Sequence, residues 1–143
     1  MVVIDNELWE KTFLRKEYEF AGARWYVAKM FAEAAPYLAQ LNYHPVVTQL
    51  IIWKDKQRIL DQGFDETVKT ADGYFYGLQT WKAKYKITAD SSVALVAFAG
   101  RRWGNKLATA SKDALCWPNT NQATVAVSTQ QPRLKETLAH ELT

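Results

Sequence analysis

The chain has one cysteine, Cys116, and only two histidines, His44 and His140, in 143 residues. A single thiol excludes an internal disulfide and favours a reducing setting, so the expected location is cytoplasmic or another reducing intracellular compartment. Two histidines and a cysteine without close spacing make no zinc set, and no short-spaced carboxylates read as a calcium loop, so neither a metal nor a cofactor is expected. The six glycines are scattered, which excludes a glycine-rich phosphate cradle. Gly100-Arg101-Arg102-Trp103-Gly104 reads instead as a hairpin tip. No apolar run approaches the roughly 20 residues of a membrane span. Met1 to Glu10 lacks the basic, apolar and small-residue succession of a signal peptide. A net charge of +3 and a pI near 8.9 are too mild to declare a nucleic-acid binder without clustering on one face.

What is present is aromatic: six Trp, seven Tyr and six Phe in a chain that is 48% apolar. That excess calls for a large core, a pocket or a docking surface. At this length one domain over residues 1–143 is expected, burying roughly two-thirds of the surface its unfolded chain exposes. Val2, Val3 and Ile4 precede an acidic segment around Trp9 with no assigned role. Residues 12 to 20 alternate as a half-buried strand does, with Leu14, Tyr18 and Phe20 on one side. From Ala23 the period changes. Ala23, Tyr26, Val27, Met30, Phe31 and Ala34 form a helical stripe, and Pro36 opens a second short helix to Asn42.

The remainder reads as strands: Val46 to Trp53, Lys56 to Phe64, Gly73 to Ile87, Val93 to Gly100, Leu107 to Trp117 and Ala123 to Thr129. In Gly73 to Ile87, Trp81, Ala83, Tyr85 and Ile87 alternate with Lys82, Lys84 and Lys86, which assigns them to opposite strand faces. Val93 to Gly100 is apolar on both faces and is expected to be covered on both. Gly104-Asn105 makes a tight hairpin turn. Pro132 opens a last helix carrying Leu134, Leu138 and Leu142. The expected fold class is α+β: a curved antiparallel β-sheet with two N-terminal helices and a short C-terminal helix.

That element order resembles the helix-grip fold of the START and Bet v 1-like superfamily over Thr12 to Thr143. The resemblance implies a curved antiparallel sheet gripping a C-terminal helix above a cavity for apolar ligands, although Pro132 to Thr143 is short for that helix. Locally, Asn42-Tyr43-His44-Pro45 followed by Val46 to Trp53 is similar to the helix, His-His-Pro and strand of pterin carbinolamine dehydratases. Tyr43 stands at the first histidine position and Ala39 at the acidic one. The similarity therefore implies an inactive scaffold.

Three functions follow as expectations. The first is non-catalytic binding of a small, largely apolar or aromatic ligand in a helix–sheet cleft, walled by Trp81, Tyr85, Phe75, Tyr26 and Met30 with His44 at the rim. The second is a nucleic-acid-binding module using Lys82, Lys84, Lys86, Arg101, Arg102 and Lys106 beside Trp103. The third is an inactive dehydratase-like subunit of a homo-oligomer or larger assembly. No catalytic residue is assigned. His44 is the one acid–base candidate, and His140 is set aside as exposed on the terminal helix.

Overall fold

The computed structural model describes residues 1–16, 18–85, 94–111 and 124–142. It is an α+β domain built on a five-stranded mixed sheet in the order β2-β1-β3-β5-β4. The strands are β1 (Val2–Ile4), β2 (Leu50–Ile52), β3 (Leu95–Ala99), β4 (Ala108–Ala110) and β5 (Thr124–Ser128). The helices are α1 (Asn6–Leu8), α2 (Glu19–Ala39), α3 (Lys56–Asp61), α4 (Ala71–Tyr85) and α5 (Leu134–Leu142), with a π-helical turn at Trp9–Phe13.

The β-branched run Val2–Ile4, left without a role by its sequence, is a central strand parallel to both β2 and β3. β3 is also parallel to β5, and only β4 runs antiparallel, along the outer edge. The expectation of a six-stranded antiparallel sheet is thereby corrected. Parallel neighbours need crossover connections long enough to carry helices, and these helices cover both faces. Alternation along the strands sorts the core into two layers. Val2, Ile4, Val96, Phe98, Val125 and Val127 face α2 and α5. Val3, Leu95, Ala97, Ala99 and Ala126 face α3 and α4. The double coverage expected of Val93 to Gly100 is met in β3, every residue of which is buried.

Several boundaries move for identifiable reasons. Gly73 to Ile87 was expected as a strand, but Ala71–Tyr85 is a helix of 15 residues. Ala71, Tyr74, Leu78 and Trp81 recur at three- and four-residue spacing and are, with Lys82, the positions it buries. Lys56 to Phe64 was likewise expected as a strand. Asp55 caps α3 there instead, its carboxylate accepting the Arg58 N–H at 3.2 Å. The described residues among 12 to 20 form no strand either, because the π-helical turn runs to Phe13 and α2 begins at Glu19. Pro36 does not divide two helices. It sits in the last turn of the 21-residue α2, where it removes the one N–H that would bond the Ala32 C=O while the helix continues to Ala39. Of Val46 to Trp53 only Leu50–Ile52 is strand. The hairpin turn is present, with Gly104 at φ 57° and Lys106 N–H donating to Trp103 C=O at 3.0 Å. Leu107 to Trp117 is strand over Ala108–Ala110, and residues 112–117 lie outside the described residues.

Candidate functional site

Two open sites and one closed cluster carry the unusual polar chemistry of the fold. The closed one lies at the carboxyl ends of β1 and β3, where open parallel sheets commonly place ligands. Asp5 accepts from Leu8 N–H at 2.9 Å, Gly100 N–H at 3.1 Å and Tyr74 Oη–H at 2.9 Å. Glu66 accepts from Asn6 N–H at 3.0 Å and Glu7 N–H at 2.9 Å. Burial pushes Asp5 up to about 6, against those hydrogen bonds, and burial together with the Asp5 charge pushes Glu66 up to about 7. Such shifts mark functional acids when a substrate can reach them. Here Asp5 is 0% exposed and Glu66 4%, and their oxygens are occupied by protein donors. The cluster is a structural knot that ties α1, α4 and the loop after β3 to the sheet.

The first open site is a groove of about 490 Å³ between the β4 edge and α5, lined by Asn105 to Ala108 on one wall and Arg133, Glu136, Thr137, His140 and Glu141 on the other. α5 is positioned by its apolar side, since Leu134, Leu138, Ala139 and Leu142 are buried in the core. The opposite helical positions necessarily point outward. Gln131 fastens the start of the helix to the sheet by donating to Ser128 C=O at 2.6 Å and to Leu107 C=O at 3.3 Å. In the β4–β5 ladder, Ser128 N–H donates to Leu107 C=O and Ser111 N–H to Thr124 C=O, both at 2.9 Å. Residues 107, 109 and 111 thus turn their backbone groups toward β5, and Ala108 and Ala110 turn theirs to the outer edge. No described strand pairs with that edge.

Within the groove, Glu141 is half-buried and burial raises its carboxyl, partly offset by the charges of His140 and Lys106. Glu136 Oε2 is buried without a hydrogen-bond partner. His140 is exposed on the same wall. The groove therefore combines an imidazole, a carboxyl moved toward neutrality and a row of outward backbone donors and acceptors. Sequence reasoning passed over this pair. The signal was available as a His-Glu dipeptide, which occurs once in the chain, placed on the helix whose inward face Leu134, Leu138 and Leu142 define.

The second open site is a cleft of about 530 Å³ at the end of β2, between α3 and α4. Its floor and wall are Trp53 and Trp81, edge to face with ring centroids 5.1 Å apart, and Tyr85 stands 5.8 Å beyond Trp81. Trp81 Nε1–H donates to Gln62 Oε1 at 2.9 Å. Trp53 is 3% exposed, and its Nε1–H has no acceptor. Lys54, Asp55 and Arg58 line the mouth.

The structure divides the ligand wall expected from the sequence. Trp81 and Tyr85 lie with Trp53 on one side of the sheet, while Tyr26 and Met30 belong to the other layer, where Tyr26 meets Phe98 edge to face at 5.9 Å. Phe75 stacks on Tyr76 at 6.1 Å, away from both groups. His44 is exposed in the segment between α2 and β2 and does not line either open site. The lysine comb does not form, because its residues are on a helix. Lys82 is 7% exposed, Lys84 lies over the Tyr85 ring at 5.4 Å, and Lys86 is outside the described residues. Arg101 is committed to Glu7 at 3.2 Å and Lys106 to Asp72 at 2.8 Å. Arg102 donates to Gly104 C=O at 3.1 Å, and Trp103 is buried against Tyr74 at 5.0 Å. No helix among the described residues is long and apolar enough to cross a membrane.

No protein-family model matches this chain, and no curated protein is significantly similar to it.

Proposed function

We propose that the groove between β4 and α5 is part of a zinc-dependent peptide-hydrolysing site, with His140 as a metal ligand and Glu141 as the general base. The observation that carries this reading is the placement of His140 and Glu141 at consecutive positions of one helix, lining a groove with Ala108, whose backbone groups turn to the outer edge of β4. A His-Glu step on a helix is the first half of the His-Glu-x-x-His pattern, in which histidines four apart share a helix face to hold zinc and the adjacent glutamate handles protons. An outward sheet edge is the surface on which an extended peptide forms backbone hydrogen bonds.

The donor set fits zinc in kind. The His140 imidazole is a ligand type that zinc accepts, and Glu141 beside it is left to act as the base. Among the described residues no cluster of three metal-ligating side chains exists, so the remaining ligands are not among them. When bound, zinc supplies Lewis-acid polarisation of the scissile carbonyl. Glu141, its carboxyl raised by burial, takes a proton from the attacking water as the new C–O bond forms. It returns that proton to the leaving amine as the C–N bond breaks.

Two measurements test the reading. Chelation should abolish cleavage of an unstructured peptide, and zinc should restore it. Glu141→Gln should then lower kcat by at least about 100-fold with zinc still bound, the scale of a lost general base. Cleavage that survives both treatments would remove the proposal.

A further inference from the structure

We infer that the free edge of β2 and the outer side of α2 together form the interface of a two-fold symmetric dimer, with a second copy of this chain as the partner. β2 ends the sheet, pairing with β1 alone. Val2 N–H donates to Gln49 C=O at 2.8 Å and Trp53 N–H to Ile4 C=O at 3.0 Å, so residues 49, 51 and 53 turn their backbone groups toward β1. Leu50 and Ile52 therefore turn theirs to the open edge. Thr48 to Ile52 carries no charge, proline or bulge, the usual devices that keep such an edge from pairing. Its side chains are also incompletely covered. Leu50, Ile51 and Ile52 are each only partly buried, whereas β1, β3 and β5 are buried at every residue.

The helix above this edge is open in the same direction. Ala21, Trp25, Ala28, Ala32, Ala35 and Ala39 recur at alternating four- and three-residue spacing, the seam of a helix pair, and all six are exposed. Arg24 and Ala28 line a groove of about 260 Å³ whose other wall is Val47 to Leu50, so the seam and the strand edge lie on one side of the molecule. Trp25 is 64% exposed and Val46 79%, large apolar surfaces that a single chain leaves in water. A second copy answers both features at once. A two-fold axis perpendicular to the sheet sets β2 antiparallel to β2 of the copy about 4.8 Å away, and α2 antiparallel to α2 at about 8 to 10 Å, a close approach that alanine permits. With Trp25 set against Ala35 of the copy, Ala28 meets Ala32 of the copy. Lys29 and Glu33, held to each other at only 4.0 Å on one flank of the seam, then come within reach of their opposite-signed counterparts in the copy. An extended peptide would fill the edge and leave Trp25 bare, and a lone helix would cover Trp25 and leave the edge unpaired. α2 is about 31 Å long, and with the edge strand below it the face approaches the roughly 800 Å² per partner that a stable pair buries.

β4 is at the opposite end of the sheet from β2, so this interface stands or falls independently of the peptidase reading. The test is sedimentation velocity of the intact chain at concentrations from about 1 to about 200 μM, since the population of a dimer follows protomer concentration. The expected species has twice the 16.4 kDa mass of one chain. Trp25→Glu, on an exposed side chain, should raise the dimer dissociation constant at least about 100-fold, the scale of a buried aromatic anchor, without changing the circular dichroism of the fold. Ala28→Arg, exposed as well, should act likewise and serves if Trp25→Glu alters the fold. Lys29→Glu alone should weaken the dimer about tenfold, and adding Glu33→Lys should restore it, a rescue that reports contact between antiparallel copies. Thr48→Pro, exposed and at the edge where proline is compatible with the existing ladder, should also weaken it. A monomer at the highest concentration overturns the proposal, whether a membrane surface or another protein then covers the face. An assembly larger than two, or a dimer indifferent to both Trp25→Glu and Ala28→Arg, overturns the two-fold helix contact. Failure of the double charge variant to recover overturns the antiparallel register, and indifference to Thr48→Pro overturns the edge pairing.

Discussion

Tyr74 Oη donates a 2.9 Å hydrogen bond to Asp5 Oδ2 across 69 residues of chain, joining the middle of the protein to its first loop inside the core. Tyr74 is fully buried and raised well above 10 by burial and by the neighbouring acids Asp5 and Glu66, so its proton stays on the phenol. Tyr74→Phe keeps the ring contacts with Phe64 and Trp103 and removes only the donor. Asp5 retains two backbone donors, so the expected loss is about 1 to 2 kcal/mol, read as a lower urea midpoint with unchanged slope.

The same knot sets a pH dependence of unusual sign. Asp5 and Glu66 are held above their ordinary values of 3.8 and 4.5, at about 6 and about 7, so the folded state binds more protons than the unfolded one between these limits. Their contribution to stability is complete below the unfolded values and is lost as pH rises through the folded ones. Burial pushes Glu7 up too, but its bonds to Lys11 and Arg101 outweigh it and hold it below 4.5, which favours the folded state above that pH. Denaturation midpoints should therefore rise as pH falls from about 7.5 to about 5 and decline only at lower pH. A flat or opposite profile over the upper range would show that the two acids are charged in the fold.

Gly100 is required by proximity. A Cβ there would sit 2.8 Å from Glu7 C and 2.8 Å from Leu8 Cα, backbone atoms that cannot swing aside. Gly100→Ala should cost about 3 kcal/mol, at the upper end for overpacking, because it also separates Gly100 N–H from Asp5. Thermal denaturation would register it as a fall in Tm of several degrees.

His140 is exposed, so His140→Ala should change stability by no more than about 0.5 kcal/mol. Cleavage of an unstructured peptide should nevertheless vanish. Loss of both together would assign His140 to the fold and not to chemistry.

Ala110 turns its N–H to the open edge of β4, where proline is compatible with a ladder. Ala110→Pro should spare the pairing with β5 and raise KM for an extended peptide by about tenfold, about 1.4 kcal/mol for one lost backbone bond. Unchanged KM would place the peptide elsewhere.

Local rules read parts of this molecule well. The amphipathic stripe of α2, the Gly104 turn, the doubly apolar β3 and the leucine face of α5 were each legible from residue type and spacing. α4 was misread because two periodicities coexist in it. Lysines alternate with Trp81 and Tyr85 over a short window, while Ala71, Tyr74, Leu78 and Trp81 carry the helical period over a longer one. The longer pattern wins because burial is summed along the whole helix. The groove was overlooked for a related reason: His140 was judged by its exposure alone, without the glutamate beside it or the strand edge opposite.

Sequence by itself determined the α+β class of the domain, the apolar faces of α2 and α5 and the turn at Gly104, since these depend on neighbours within a few residues. Tertiary structure alone decided that Val2–Ile4 is an interior strand paired on both sides, that Tyr26 and Trp81 lie on opposite sides of the sheet, and that Glu141 and Lys106 line one groove. Those outcomes depend on pairing between distant strands and on which layer each helix covers. Such choices follow from the burial of the whole core, and no local window of residues contains them.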